Sequence, residues 1–294
     1  MRTIGGTGTD YGQASINVCI KPPNMDNRCL NFDAAGPTVN DFVIYEQPLN
    51  ERMRTFLRME QLMQRLHKAM DGAEVWQSHC ALSILIELVN LVMRVDVKND
   101  LMLELERQGA NLTRLLAEDD VDQGRLQGII DQQRELSQQL HGMSGQLAQH
   151  LMRNELLGSL KQRLSIPGGT CDFDLPSYHY WLSRSAERRS ELLKTWIDPF
   201  EKVLEAVELV LGLIRDSAVL ESTSAVLGFF QQALNVDAPN QLLRVRMPAI
   251  SEVFPEISAG KHRFTIRFLE QADITSRPTQ AEQDIEFEFA TCAL

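Results

Sequence analysis

Few residues in this chain could carry covalent chemistry. Cys171 stands near Asp172, Asp174 and His179 in "CDFDLPSYH", the residue types of a thiol hydrolase: a nucleophile, a carboxylate and a base. Their order and spacing match no nucleophile motif, and Cys171 lies in no recognisable activating turn. His179, beside Tyr178, Tyr180 and Trp181, has the setting of a packed or hydrogen-bonded histidine. HExxH and GxSxG are absent. Gly5, Gly6, Gly8 and Gly12 lack the closing Gly-Lys-Ser/Thr of a phosphate loop. The five cysteines, at 19, 29, 80, 171 and 292, form no CxxC pair, and none has a histidine at zinc-ligand spacing. Scattered odd thiols fit a reducing compartment. The sequence points away from an enzyme, and no cofactor or metal is expected.

Arginine on a strand pattern is the stronger signal. "KHRFTIRF" (261–268) alternates strictly, so Phe264, Ile266 and Phe268 point one way and Arg263, Thr265 and Arg267 the other. In "QLLRVRM", Arg244 and Arg246 alternate with Leu243, Val245 and Met247; in "DIEFEFA", Glu286 and Glu288 alternate with Ile285, Phe287 and Phe289. Glu286 and Glu288 could neutralise the arginines across strands. Four positive charges against two negative ones do not balance, and Lys261 and His262 add to the surplus. Arginine suits bidentate capture of carboxylates. A basic face on a chain of net charge -11 points to an acidic peptide or protein more than to nucleic acid. The alternative is a nucleic-acid module, or one for another acidic partner, using the same face. Arg54, Arg58, Gln61 and Arg65 make a further polar stripe, for which a solvated helix face is the plainer reading.

The elements that must position these residues are α+β in class. The 294 residues, 44% hydrophobic and 23% charged, suffice for one large domain or two smaller ones. The apolar stretches "ALSILIELVNLVM" and "VLEAVELVLGLI" contain glutamate and are too short to span a bilayer, and "MRTIGGTGTDYG" does not read as a signal peptide. A cytoplasmic location without membrane association is expected. Residues 1–41, rich in glycine and proline, are expected to be disordered or to reflect a start placed too far upstream. "DFVIYEQP" reads as a strand, and Asn50 as the cap of a helix whose buried stripe is Phe56, Met59, Met63, Leu66 and Met70. Two helices follow over 74–117, then a glutamine-rich one over 122–140 whose narrow apolar stripe suits a seam within the chain or across a dimer. Another helix is expected over 144–164, and strand and turn over 165–176. At "DPFE", Asp198 and Pro199 mark a kink or a fresh helix start. A small antiparallel sheet closes the chain, its apolar face covered most simply by the helices. The expected division is a helical dimerisation domain over 49–160 and 179–217, with a smaller, mostly antiparallel β-strand domain from 42–48, 161–178 and 218–294.

"EQPLNERMRTFLRMEQL" (46–62), "KQRLSIPGGTCDFDLPSYHYWL" (161–182), "LVLGLIRDSA" (209–218) and "FPEISAGKHRFTIRFL" (254–269) resemble the bacterial cell-division protein family ZapD. The resemblance spans about residues 43–292. It implies a two-fold dimer that binds the C-terminal tail of FtsZ, the bacterial tubulin homologue, and bundles FtsZ filaments in the Z-ring at mid-cell, with no enzymatic activity. The family's charged surface maps onto Arg54, Arg58, Arg94, Arg163, His179, Arg263 and Arg267, and the bare residues add Arg244, Arg246 and Lys261. One departure is Leu156, where a further basic residue is expected after Arg153.

Overall fold

The computed structural model describes residues 41–118, 121–143, 145 and 147–294, so the expectation for 1–41 lies, but for Asp41, outside the described residues. Strand β1 (Phe42–Pro48) leads into helix α1 (Glu51–Met70). The Asn50 side chain accepts the Met53 N–H at 2.9 Å, satisfying one of the unpaired amides of the first turn. Met53, Phe56, Met59, Met63 and Leu66 then bury on one stripe. Helix α2 (Val75–Val92) packs on α1. It is the one helix among the described residues long and apolar enough to cross a membrane, yet Ala81, Leu82, Leu85 and Leu88 are wholly enclosed by the helical core.

Helices α3 (Val97–Leu115) and α4 (Gln123–Gly142) pack on one another and on α7 (Ala186–Asp216). The narrow stripe of α4, from Leu126 to Leu140, is therefore used within the chain. Between these helices lies the wholly buried carboxylate of Glu104, held by Arg52 at 3.0 Å, Arg107 at 2.5 Å and the amide of Gln108.

Two local expectations are corrected, and a third is narrowed. The helix proposed over 144–164 is shorter: Asn154 accepts the Leu157 N–H at 3.1 Å and starts α5 (Glu155–Arg163), after a single 3-10 turn at Leu151–Arg153. Residues 165–175 form a run of turns with no strand, leading to α6 (Pro176–Leu182) with Pro176 in its first turn. Gly169 is needed there, because a Cβ would stand 2.6 Å from the carbonyl oxygen of Arg163. The segment 161–178 thus adds nothing to the sheets. Of the two alternatives at Pro199, a fresh helix start does not occur: α7 continues as one helix through it. Trp196, Ile197, Phe200 and Val203 are buried around it, and that packing outweighs the roughly 3 kcal/mol an interior proline costs.

Arg189, buried near the start of α7, makes no ion pair or hydrogen bond with a carboxylate among the described residues. Its guanidinium donates to the carbonyls of Leu182 and Arg184, to Ser78 Oγ at 2.9 Å and to the carbonyl of Ala73 at 2.6 Å. It thereby ties the C-terminal end of α6 to the α1–α2 connection.

The remaining strands are β2 (Glu221–Ala225), β3 (Phe229–Ala233), β4 (Leu242–Pro248), β5 (Val253–Ala259), β6 (Arg263–Glu270), β7 (Thr279–Gln280) and β8 (Ile285–Cys292). They form two antiparallel sheets where one was expected. The first has the order β1-β4-β8-β2; the second is β3-β6-β5, with β7 also on β6. The sheets cover each other. Phe230, Phe264 and Phe268 from the second meet Phe287 and Phe289 from the first, with ring centroids 4.8–5.7 Å apart. The outer face of the first sheet rests on the helices, where Leu242 and Cys292 join the helical core. Arg215, near the end of α7, bonds Glu46 of β1 at 2.8 and 2.9 Å and Glu60 of α1 at 2.7 and 2.8 Å, so one guanidinium joins sheet and helices. The outer face of the second sheet remains open to solvent.

Candidate docking surface

Strand β6 has the alternation its sequence predicts: Phe264, Ile266 and Phe268 are buried between the sheets, while Arg263 and Arg267 are exposed on the outer face. Register sets their neighbours. Arg267 lies between Phe229 of β3 and Glu256 of β5, and its guanidinium pairs with Glu256, both side chains about half exposed. Arg263 lies opposite Ala233 at the end of β6. Among the described residues neither Arg263 nor the adjacent, exposed Lys261 has an ion-pair partner.

Arg244 and Arg246 do not share this face, which corrects the expectation of a single arginine surface neutralised by Glu286 and Glu288. Both belong to the first sheet, on the side turned toward the helices. Arg244 is 15% exposed and pairs with Glu46 at 3.1 Å. Arg246 is 18% exposed, pairs with Glu288 and lies over the Phe42 ring. Glu286 stands opposite Ser224. Arg244 and Arg246 are thus committed to carboxylates within the fold.

The other predicted positions fall on the helical body. Arg54 pairs with Glu51 at 3.1 Å within α1, and Arg58, one turn on, is exposed with no ion pair among the described residues. Arg94, just past α2, is likewise exposed and unpaired. Arg163 bonds Asp174 at 3.0 Å across the turns before α6, which carries exposed His179. The structure therefore places Arg263 and Arg267 on one sheet with Lys261 in the turn that leads into it, and Arg163 and His179 on either side of the turns before α6. Arg54 and Arg58 stand apart on α1, as does Arg94 after α2.

Beneath His179, Tyr178 is buried and its hydroxyl bonds His79 Nδ1 at 2.5 Å. His79 in turn stacks on Trp76 at 5.0 Å. Burial lowers the His79 pKa, favouring the neutral ring. Burial, reinforced by Cys80, raises that of Tyr178. Cys171 is exposed and shares no hydrogen bond with His179. No group of three or more His, Cys, Asp or Glu side chains that could hold a metal ion occurs among the described residues.

Two features escaped sequence reading. The Glu256 partner of Arg267 had a signal in the short turn after "FPEISA", since a hairpin there places residue 256 opposite 267. The junction centred on Arg215 had none, because Glu46 and Glu60 lie 169 and 155 residues away.

The family model for the cell division protein ZapD matches residues 57–267. The chain belongs to the ZapD family of cell division proteins. Among its ZapD relatives, that of Methylococcus capsulatus (strain Bath) is 43% identical over 252 residues, covering 86% of this chain and 98% of the relative. That of Chromobacterium violaceum is 40% identical over 250 residues, covering 85% and 99%. That of Aromatoleum aromaticum is 39% identical over 252 residues, covering 86% and 98%. ZapD membership assigns the chain a role in cell division. The ZapD match takes in both β6 arginines, Arg58, Arg94, Arg163 and His179, and begins just after Arg54.

Proposed function

We propose that this protein binds the C-terminal tail of FtsZ and, as a homodimer, cross-links and bundles FtsZ filaments to stabilise the Z-ring, without catalysing a reaction. It would act in the cytoplasm at the mid-cell division site. The observation that carries the reading is the outer face of the second sheet. Arg263 there, and Lys261 in the turn before it, stand exposed without ion-pair partners among the described residues, Arg267 has only an exposed one, and the chain has net charge -11. Guanidinium groups fixed on a strand suit carboxylates, which they take in a bidentate grip. Each exposed ion pair contributes only about 0–1 kcal/mol, so affinity must come from number. A dimer supplies two sites, and once one tail is held the second binds at raised effective concentration. Arg58, Arg94, Arg163 and His179 extend the basic surface in this reading, whereas Arg244 and Arg246, committed to Glu46 and Glu288, take no part.

The test is Arg263→Glu together with Arg267→Glu. Both side chains point outward, so reversal adds no charge between the sheets; it leaves Glu256 opposite a like charge, a cost of a few tenths of a kcal/mol (~0.5). The variant is expected to melt close to the parent and to lose co-sedimentation with FtsZ filaments. A variant that keeps the parent's melting curve and still bundles FtsZ refutes the role of this face.

A further inference from the structure

We propose that the turn between β2 and β3 is the apolar half of this docking face, and that the segment recognised is an extended acidic peptide carrying an aliphatic or aromatic side chain beside its carboxylates. The inference rests on the arginine-face reading and adds the apolar requirement to it.

The turn presents apolar side chains to water: Val226 is 63% exposed, Leu227 57% and Phe229 43%. Its backbone is also unfavourable for the residues it uses. Leu227 and Gly228 have φ of 48° and 68°, the pattern of a tight primed hairpin turn, for which asparagine and glycine are the usual residues. The surroundings nonetheless impose that conformation. The Leu227 N–H donates to the Asp284 carboxylate at 2.8 Å, Gln280 donates to the Leu227 carbonyl at 2.9 Å, and the Phe268 N–H donates to the Gly228 carbonyl at 2.8 Å. Gly228 lies so close to Ala281 that a Cβ would stand 2.7 Å from its carbonyl oxygen. Solvation and local preference both argue against leucine at 227. A strained conformation that its neighbours over-determine is the kind that marks a working surface.

Register connects this turn to the arginines. Phe229 is directly opposite Arg267, Gln231 opposite Thr265 and Ala233 opposite Arg263. At roughly 3.3 Å per residue, Arg263 is about 13 Å along β6 from Arg267, and Leu227 lies in the turn that leads into Phe229. An extended peptide lying along β3 and β6 would therefore meet the apolar turn and Phe229 first, with Arg267 beside them and Arg263 four residues further on.

The experiment uses the full chain and fluorescent 12-residue peptides on a glycine-serine scaffold, made in both chain directions. One carries leucine with glutamates two and six residues away; the second has serine for leucine; the third has glutamines for the glutamates. The first is expected to bind roughly five- to tenfold more tightly than the second, from partial burial of one leucine. Leu227→Asn is expected to remove that preference while melting at or above the parent temperature, because asparagine accepts positive φ more readily. Equal binding of the first two peptides overturns this inference and leaves the arginine reading standing. Equal binding of the first and third sinks both. A Leu227→Asn variant that keeps the preference for leucine overturns it. So does one that changes only self-association in sedimentation, or only binding to phosphatidylcholine–phosphatidylserine vesicles.

Discussion

Replacing Arg215 with methionine tests how the sheets are fastened to the helices. Burial works against the Arg215 charge, but the hydrogen bonds it donates to Glu60 and Glu46 outweigh it and hold the pKa above the usual arginine range. A group raised in this way stabilises the fold at every pH below its unfolded value, so the effect should be the same at pH 6 and pH 9. Removing one member of a fully buried ion pair costs about 3–5 kcal/mol, because the remaining charge is left uncompensated. Here the side chains of Arg215, Glu46 and Glu60 are 25%, 19% and 13% exposed, and Glu46 keeps Arg244 at 3.1 Å. The expected loss is therefore smaller, about 2–4 kcal/mol, or about 5–15 °C in melting temperature for a chain of this size. Urea unfolding followed by far-UV circular dichroism and tryptophan fluorescence measures it. Adding Glu60→Met should recover part of the loss, since the stranded carboxylate goes with its partner. Arg215→Met within ~0.5 kcal/mol of the parent would refute the argument that this guanidinium joins the two parts of the molecule.

Two other expectations follow from single positions. Burial pushes the Asp216 carboxyl up to about 6, against the pull of Arg125, Arg244 and Arg215. Its folded pKa is above the ordinary 3.8, so the folded state is favoured while the group is protonated, and that contribution is lost as pH rises from about 4 through 6. Asp216→Asn should then gain about 1 kcal/mol at pH 7.5, after allowance for solvent screening, and nothing at pH 4; thermal melts at the two pH values read the difference. Pro199→Ala should restore the α7 hydrogen bond to the Thr195 carbonyl and stabilise the chain by about 1–3 kcal/mol in urea. A loss of stability would mean that the helix path at Pro199 is needed for packing.

Local signals were the legible ones. The Asn50 cap, the α1 stripe and the β6 alternation each depend on residues within a few positions, and each is found in the structure. Partition of the strands into two sheets was not legible. A period of two shows which side of a strand is buried but not what covers it, so the phenylalanines of β6 and β8 could not be read as facing each other. The same limit applied to the arginines: Arg246 and Arg267 have similar sequence settings, and only tertiary pairing separates a junction residue from an exposed one. Prolines and glycines in 165–175 signalled a break, but the choice of turns over strand was made by the close approach at Gly169. Continuity of α7 through Pro199 was decided by long-range burial.

The charges that hold this fold and those on its open sheet face differ in their access to ions. Arg189 is solvated by peptide carbonyls and Ser78 in place of water, and Glu104 is sealed among helices, so mobile counterions barely reach either. Lys261, Arg263 and Arg267 stand in water, where the Debye length falls from about 8 Å at physiological ionic strength to about 3 Å at 1 M. Salt is therefore a selective reagent for this protein. If the proposed docking holds, raised ionic strength should release an acidic partner from the open face while the scaffold stays folded, so attachment there would be graded, and reversed, by the solution alone.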